Sequence, residues 1–264
     1  MSAFAIILTV IGFWGEFELG AHNLALSGAG ITMVKGAEAI FQNSSLIAEG
    51  EKLTATVGFF SPFGVSEVKS FGAGIAFSSK RFGVGIGYRA QKLLEIYREE
   101  NFIAAFSANV LDLKGIRWFI GTNIRIFKVS LENPICFTTT YPLTRTALDW
   151  STTLKTKHLA LAVLETNAGN TSDIERKMRY EIRLSPLKGF NSLFTYWDNG
   201  FEEGYGIGQE IALLGVVNLR IGYSKDGVTM GFGLNAPTYN IDMGVRASEL
   251  GSTFHISFTT NLLH

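Results

Sequence analysis

The sequence predicts an all-β fold, a transmembrane antiparallel up-and-down β-barrel of about 14 strands. Three observations lead there. From Lys52 onward, short segments alternate strictly between apolar and small or polar residues, the period of a β-strand. The two faces also differ in kind: one carries Phe, Tyr, Trp, Ile and Leu, the other Gly, Ser, Asn and a thin set of charges. Finally, short and long connections alternate along most of the chain, as in a bacterial outer-membrane barrel with both termini on the short-turn side.

Composition narrows the class. The 264 residues hold 23 Lys and Arg against 23 Asp and Glu, a balance that excludes a nucleic-acid binder resting on phosphate neutralisation. Only 17% are charged, against about a quarter in a soluble domain, while 47% hydrophobic residues exclude disorder. Cys136 stands alone, with no partner for a disulfide or a CxxC motif. His22, His158, His255 and His264 show no metal-ligand spacing. No metal and no cofactor is expected.

At the amino terminus, Ala3–Gly15 (AFAIILTVIGFWG) is an uninterrupted apolar run. A membrane-spanning helix needs about 20 residues, so this run is short for one and suits the apolar region of a secretory signal. No Lys or Arg precedes it and no A-x-A site follows. Residues 1–15 are read as a signal peptide; a buried first strand is the other reading.

Strands follow from the alternating rows. Phe71, Ala73, Ile75 and Phe77 alternate with Gly72, Gly74, Ala76 and Ser78; Phe82, Val84, Ile86 and Tyr88 alternate with Gly83, Gly85, Gly87 and Arg89. The same rhythm places strands near 52–60, 71–79, 82–90, 102–111, 115–128, 147–155 and 158–166. Seven more follow near 177–185, 190–198, 204–212, 216–224, 228–235, 239–247 and 253–262. Lys92–Glu100 has room for a turn or two of helix. Pro62, Pro134, Pro142, Pro186 and Pro237 all fall between these strands, where a missing N–H breaks no ladder. Gln209 faces the apolar side, which implies a bulge or a register slip.

The connections Ser79–Arg81, Asp112–Lys114, Thr156–Lys157, Pro186–Gly189 and Leu213–Gly215 are short, and Ser130–Thr146 is the longest of the others. Ser224–Gly227 reads as an Asp-Gly hairpin turn. A soluble sandwich would wet its second face with Lys, Glu and Thr, whereas lipid outside and a polar, partly filled lumen inside match these rows. Lipid also demands closure, since an open edge strands backbone groups in hydrocarbon. Trp14, Trp118, Trp150, Trp197 and tyrosines such as Tyr88, Tyr205, Tyr223 and Tyr239 are candidates for interfacial girdles.

Residues 20–48, GAHNLALSGAGITMVKGAEAIFQNSSLIA, resemble the amino-terminal signature of the PorV/PorQ and FadL-like outer-membrane proteins. Gly20, Ala21, Leu24, Gly28, Ala29, Ala37, Ala39, Ile40, Asn43 and Ala48 fall in matching places. The carboxy-terminal third resembles the same proteins through YGIGQEIALLGVVNLRIGYSKDGVTMGFGLN, YNIDMGV and LGSTFHISF. Ser44 stands where the pattern has proline, Ala25 and Ser27 where it has glycine, and His264 where it has a terminal aromatic. The resemblance implies a barrel over 52–264 with a plug, residues 16–51, folded into it. In the FadL branch such barrels pass hydrophobic molecules through the outer membrane; in the PorV branch they carry surface proteins.

Two readings stand for the candidate residues. Gly28 and Gly30, with Gly83, Gly85 and Gly87, either let the plug backbone approach the wall or merely make room in a narrow lumen. Inward charges form a ladder of Arg89, Arg117, Arg125, Asp149, Lys155 and Arg179, continued by Glu181, Arg183, Glu210, Arg220, Asp242 and Arg246. They supply a polar pathway or a set of plug-holding ion pairs, or they satisfy one another across strands, as neighbouring charges do by default. His255 and Ser257 share a face of the last strand, but nothing at fixed spacing supplies an orienting group or an oxyanion site, so no enzyme is expected. GAGITM lacks the GK[ST] of a phosphate loop.

The function expected is a passive channel for small hydrophobic or amphipathic compounds in the outer membrane of a Gram-negative-type bacterium. Membrane lipid and a hydrophobic small molecule in the lumen are its partners, with no nucleic acid. The alternatives are a barrel anchoring or shuttling exported surface proteins, with Ser130–Thr146 and Asn167–Arg176 as its binding surface, and a soluble β-barrel with an interior ligand.

Overall fold

The computed structural model describes residues 20–65, 67–93, 97–131, 143–172, 174–249 and 251–263. The expected signal peptide, Trp14, Pro134, Cys136, Tyr141, Pro142, His264 and most of the longest loop lie outside the described residues.

Fourteen strands form one closed ring in sequence order, with β14 returning to β1. They are β1 (Leu53–Ser61), β2 (Val68–Ser78), β3 (Phe82–Leu93), β4 (Tyr97–Leu113), β5 (Ile116–Leu131), β6 (Leu143–Lys155) and β7 (Leu159–Thr166). Then come β8 (Lys177–Leu187), β9 (Phe190–Asp198), β10 (Glu203–Leu213), β11 (Val217–Ser224), β12 (Gly227–Asn235), β13 (Tyr239–Ser248) and β14 (Gly251–Leu263). Every neighbouring pair is antiparallel, and the closing pair runs from Leu53 opposite Leu263 to Ser61 opposite Phe254. Closure leaves no unpaired edge.

The alternating rows decide which side faces where. Phe59, Phe77, Ile86, Phe106, Ile124 and Ile207 are exposed on the outside, while Thr56, Ser107, Asn123, Thr153, Thr195 and Thr229 are buried inside. This reverses the arrangement of a water-soluble protein.

Inside the ring lies the N-terminal segment. It comprises α1 (Ala21–Ala25), α2 (Ala39–Gln42) and a 3-10 turn over Ser44–Glu49. α1 packs against β11–β14 and the 3-10 turn against β2–β6. Ile40, Leu46 and Ile47 form an apolar core with Ala76, Ala105 and Phe119 of the wall, and Leu26 and Ala29 form a second with Leu193.

The structure departs from the sequence reading at four places. Lys92 and Leu93 end β3 and Tyr97 begins β4, so the described part of Lys92–Glu100 is strand, not helix. Pro186 lies within β8, where pairing with β9 shifts between Leu184 and Leu187 and no ladder bond is needed from it. β10 pairs without interruption through Gln209, whose amide donates to Ser192 Oγ at 2.7 Å, so a polar partner replaces the expected bulge. Trp197 faces the lumen at 8% exposure, against 45% for Trp118, because it shares the inward row of Leu193 and Thr195. It belongs to no outer girdle.

Candidate functional site

The interior is built by docking backbone against backbone, which requires the wall to lack side chains at the contacts. A Cβ on Gly121 would lie 2.3 Å from Ser45 N, and one on Gly206 would lie 2.3 Å from Ser27 O. On β3, Gly83 meets Ala48 and Ile47, Gly85 meets Ile40, and Gly87 meets Phe41. Gly231 and Gly244 receive α1 in the same way, against Ala25 and Ala21. The paired glycines of the segment act differently. Gly28, at φ +84, turns the chain after α1 and meets nothing within 4 Å, whereas Gly30 packs on Asn23 and His22 of the segment itself. Neither brings the segment to the wall. Gly20 lies against Gln42 and Glu38, closing α1 onto α2.

Hydrogen bonds hold what the glycines admit. Glu181 on β8 accepts from Ile31 N at 3.0 Å, and from Thr32 N and Thr32 Oγ1 at 2.8 and 2.7 Å. Asn43, fully buried, donates to Ile31 O and Thr153 Oγ1 at 2.9 Å each. Ser151 Oγ accepts from Ser45 N at 2.9 Å and lies 3.0 Å from Ser44 Oγ. Ala48 N donates to Ser107 Oγ at 2.8 Å, and Ala37 N to Thr54 Oγ1 at 2.8 Å. Short hydroxyls on the wall thus satisfy backbone groups that would otherwise be buried without partners.

The charged ladder divides between two duties. Arg117 pairs with Glu49 of the segment at 2.7 Å, and Lys155 pairs with the same carboxylate. Arg125 pairs with Asp149 at 2.6 Å within the wall, and Asp149 also accepts from Asn167 N at 2.8 Å. Glu210, Arg220 and Asp242 form a chain at 2.8 and 2.5 Å, with His22 of the segment 3.5 Å from Glu210. Arg220 reaches Asp242 over β12 because Gly233 leaves the space clear. Burial raises the Glu38 carboxyl above the ordinary range, opposed by the positive charge of Arg220.

On the long-loop side a small chamber of about 100 Å³ remains above the segment. Leu24, Ser27 and Gly28 line it from the segment; Phe60, Arg179, Trp197, Arg246 and His255 line it from the wall. Lys177 Nζ lies 4.1 Å from the Trp197 ring centre, and Arg89 lies 5.6 Å from that of Phe60. Arg183, half-buried toward the short-turn end of β8, has the carboxylates of Glu49, Glu181 and Glu210 as its charged neighbours. His255 lies 5.4 Å from Phe60, ring to ring, and its buried Nε2 meets no partner among the described residues. No cluster of three metal-ligating side chains occurs among the described residues.

Outside, the ring is indented. A concave cavity of about 1100 Å³ spans β12–β14 and β1–β4. Phe59, Phe71, Met230, Met243, Phe254 and Ile256 line it, and Lys69, Lys92 and Arg98 stand at its long-loop end. Phe60 and His255, opposite one another across the β1–β14 seam, line both this cavity and the inner chamber. Periodicity could not locate the indentation, since it is lined by strands from the two ends of the chain.

No protein-family model matches the chain, and no curated protein matches it. Solved structures do resemble it. A structure described as the CymD monoaromatic hydrocarbon channel matches at TM-score 0.66 and 10% identity, over 94% of this chain and 98% of that one. A Pseudomonas aeruginosa FadL homologue matches at 0.61 and 9%, over 94% and 99% of the two chains. The Ralstonia pickettii toluene transporter TbuX matches at 0.60 and 10%, over 92% and 98%. At such identities the shared property is the fold, a FadL-type barrel.

Proposed function

We propose that the protein is an outer-membrane channel through which small hydrophobic or amphipathic compounds pass without an energy source. The observation that carries this reading is the Phe60–His255 pair, which lies between the inner chamber and the apolar cavity on the outer face. A compound taken from the long-loop side would rest in the chamber, pass sideways at the β1–β14 seam, and enter the bilayer along the outer cavity. The sideways route parts the aromatic pair and the β1–β14 ladder bonds beside Phe60 and Ser61, at the long-loop end of that seam. Passage straight through would have to break the many hydrogen bonds from Glu181, Ser151, Thr153 and Ser107 to the segment, each contributing about 1 kcal/mol or more.

The outer surface supports the membrane setting. Contiguous exposed apolar patches on soluble monomers rarely exceed a few hundred Å², and here the outward rows of the fourteen strands are apolar apart from isolated polar positions such as Gln209 and charges near the long-loop ends. Lipid is the solvent that such a face requires, and closed barrels are one of the two structures it tolerates. Two of the similar structures are described as a monoaromatic hydrocarbon channel and a toluene transporter, which favours hydrophobic cargo over the surface-protein carrier. Residues 16–51 serve in this reading as the plug, and residues 1–15 as the export signal.

The test is uptake. Produced in the outer membrane of a Gram-negative host, the protein is expected to raise the initial uptake of labelled toluene several-fold and to leave that of a labelled trisaccharide unchanged. No increase for toluene, or an equal increase for the sugar, overturns the reading.

A further inference from the structure

Four consecutive short turns, joining β2 to β3, β4 to β5, β6 to β7 and β8 to β9, carry Lys80, Arg81, Lys114, Lys157 and Lys188. All five are exposed, and among the described residues no carboxylate pairs with any of them. The long-loop side differs: Arg98, Arg176 and Lys225 each meet a carboxylate there, at 2.8, 2.6 and 3.1 Å. Asp112 is the one carboxylate in the same four strand ends, and it stands opposite Arg117. Arg117 and Lys155 reach inward to Glu49 and add nothing to the rim. Glu51 is exposed beside Lys52, ahead of β1. Successive tips are two strands apart, about 10 Å. That is close to the Debye length of about 10 Å at 0.1 M salt, so the fields of neighbouring tips overlap.

The same turns hold apolar side chains in the open. Two of them read Leu-Lys-Gly, at 113–115 and 187–189, and the turn between β10 and β11 reads Leu-Leu-Gly at 213–215. Leu113, Leu187 and Leu214 are 57%, 70% and 100% exposed. Leu214 stands at φ +54, where L side chains are uncommon. Leucines at the tips themselves place the edge of the hydrocarbon there. The lysines beside them then stand in the headgroup layer, stems along the apolar edge and charges toward the phosphates.

We propose that the short-turn rim, over the arc from β2 to β9, binds anionic phospholipids of the leaflet around it, with Lys80, Arg81, Lys114, Lys157 and Lys188 on their phosphates. A soluble acidic partner would meet the same cations but leave Leu113, Leu187 and Leu214 in water. The turns at 213–216 and 236–238 carry no charge, so the preference belongs to one half of the ring. The proposal rests on the outer face lying in lipid but not on transport, so it stands or falls separately from the uptake experiment.

The experiment uses the full chain folded in a neutral detergent, with folding of every variant checked by heat-shifted gel mobility. Native mass spectrometry then counts retained phosphatidylglycerol and phosphatidylcholine of matched acyl chains. Phosphatidylglycerol should be retained well above phosphatidylcholine. Changing Lys80, Arg81, Lys114, Lys157 and Lys188 together to Gln should lower its affinity by roughly 10-fold or more, to that of phosphatidylcholine. Raising ammonium acetate tenfold from about 50 mM should shrink the preference in the unchanged protein, since screening shortens the reach of each charge. The control Arg98→Gln, Arg176→Gln, Lys225→Gln alters paired cations at the other end and should keep the preference. Equal retention of the two phospholipids, a five-residue variant that still selects phosphatidylglycerol, or displacement of the lipid by excess glycerol phosphate overturns the proposal. Failure of the protein to require detergent would instead overturn the membrane reading itself.

Discussion

Thr32 gives both its backbone N–H and its hydroxyl to one oxygen of Glu181, at 2.8 and 2.7 Å, across 149 positions of sequence. With the Ile31 N–H on the other oxygen, a single wall carboxylate holds the middle of the inner segment. Glu181→Ala removes every acceptor and leaves those donors buried, a loss of about 2–4 kcal/mol. Planar-bilayer recordings should show higher or noisier conductance for Glu181→Ala than for the unchanged protein, with Glu181→Gln in between. Conductance unaltered in both would mean that this contact does not hold the plug.

Gly121 faces the backbone of Ser45 so closely that even a methyl group has no room. Gly121→Val should displace the 3-10 turn at a cost of about 1–3 kcal/mol and expose the segment to protease added to the folded barrel. Gly115→Ala is the control. It sits in a turn at φ +85 with nothing nearby and should cost about 1 kcal/mol without exposing the segment.

Arg220 sits 3% exposed between Glu210 and Asp242. Arg220→Met strands two buried carboxylates and should lower stability by about 3–5 kcal/mol, read as a shifted denaturant midpoint. Adding Glu210→Gln and Asp242→Asn should recover most of the loss. Absence of recovery would argue that Arg220 acts by packing rather than by pairing.

Phe60 separates chamber from outer cavity in the proposed route. Phe60→Ala should speed toluene uptake, and Phe60→Trp should slow it, each by a few-fold, without admitting sugar. Sugar admitted by Phe60→Ala would place the path through the lumen instead.

Gln209 tests the outer face. Gln209→Leu should alter stability by less than about 1 kcal/mol, because a side-chain hydrogen bond in lipid, such as the one to Ser192, is worth on average about 0.6 kcal/mol. Gln209→Arg should cost about 2–4 kcal/mol if the position lies near the bilayer midplane. An arginine tolerated there without loss of stability would count against lipid contact.

Strand positions and facings were legible because a pleated strand turns every second residue the same way. Rows such as Phe82, Val84 and Ile86 against Gly83, Gly85 and Gly87 therefore declare the outside and inside of the ring before any pairing is known. Contacts between strands follow other rules. Whether Lys69 meets Lys92, or which residue of the next strand lies beside Trp197, depends on cross-strand register, and register depends on turn lengths and bulges that periodicity does not encode. The same holds for Gly28 and Gly30, whose spacing suggested contact with the wall but which fold the segment upon itself. Local alternation is a property of neighbours in the chain, and the sequence by itself determined that much: an inside-out β-ring. Only the closed tertiary structure decided which glycines admit the segment, which carboxylate holds it, and where the wall bends in, because each joins residues far apart in sequence.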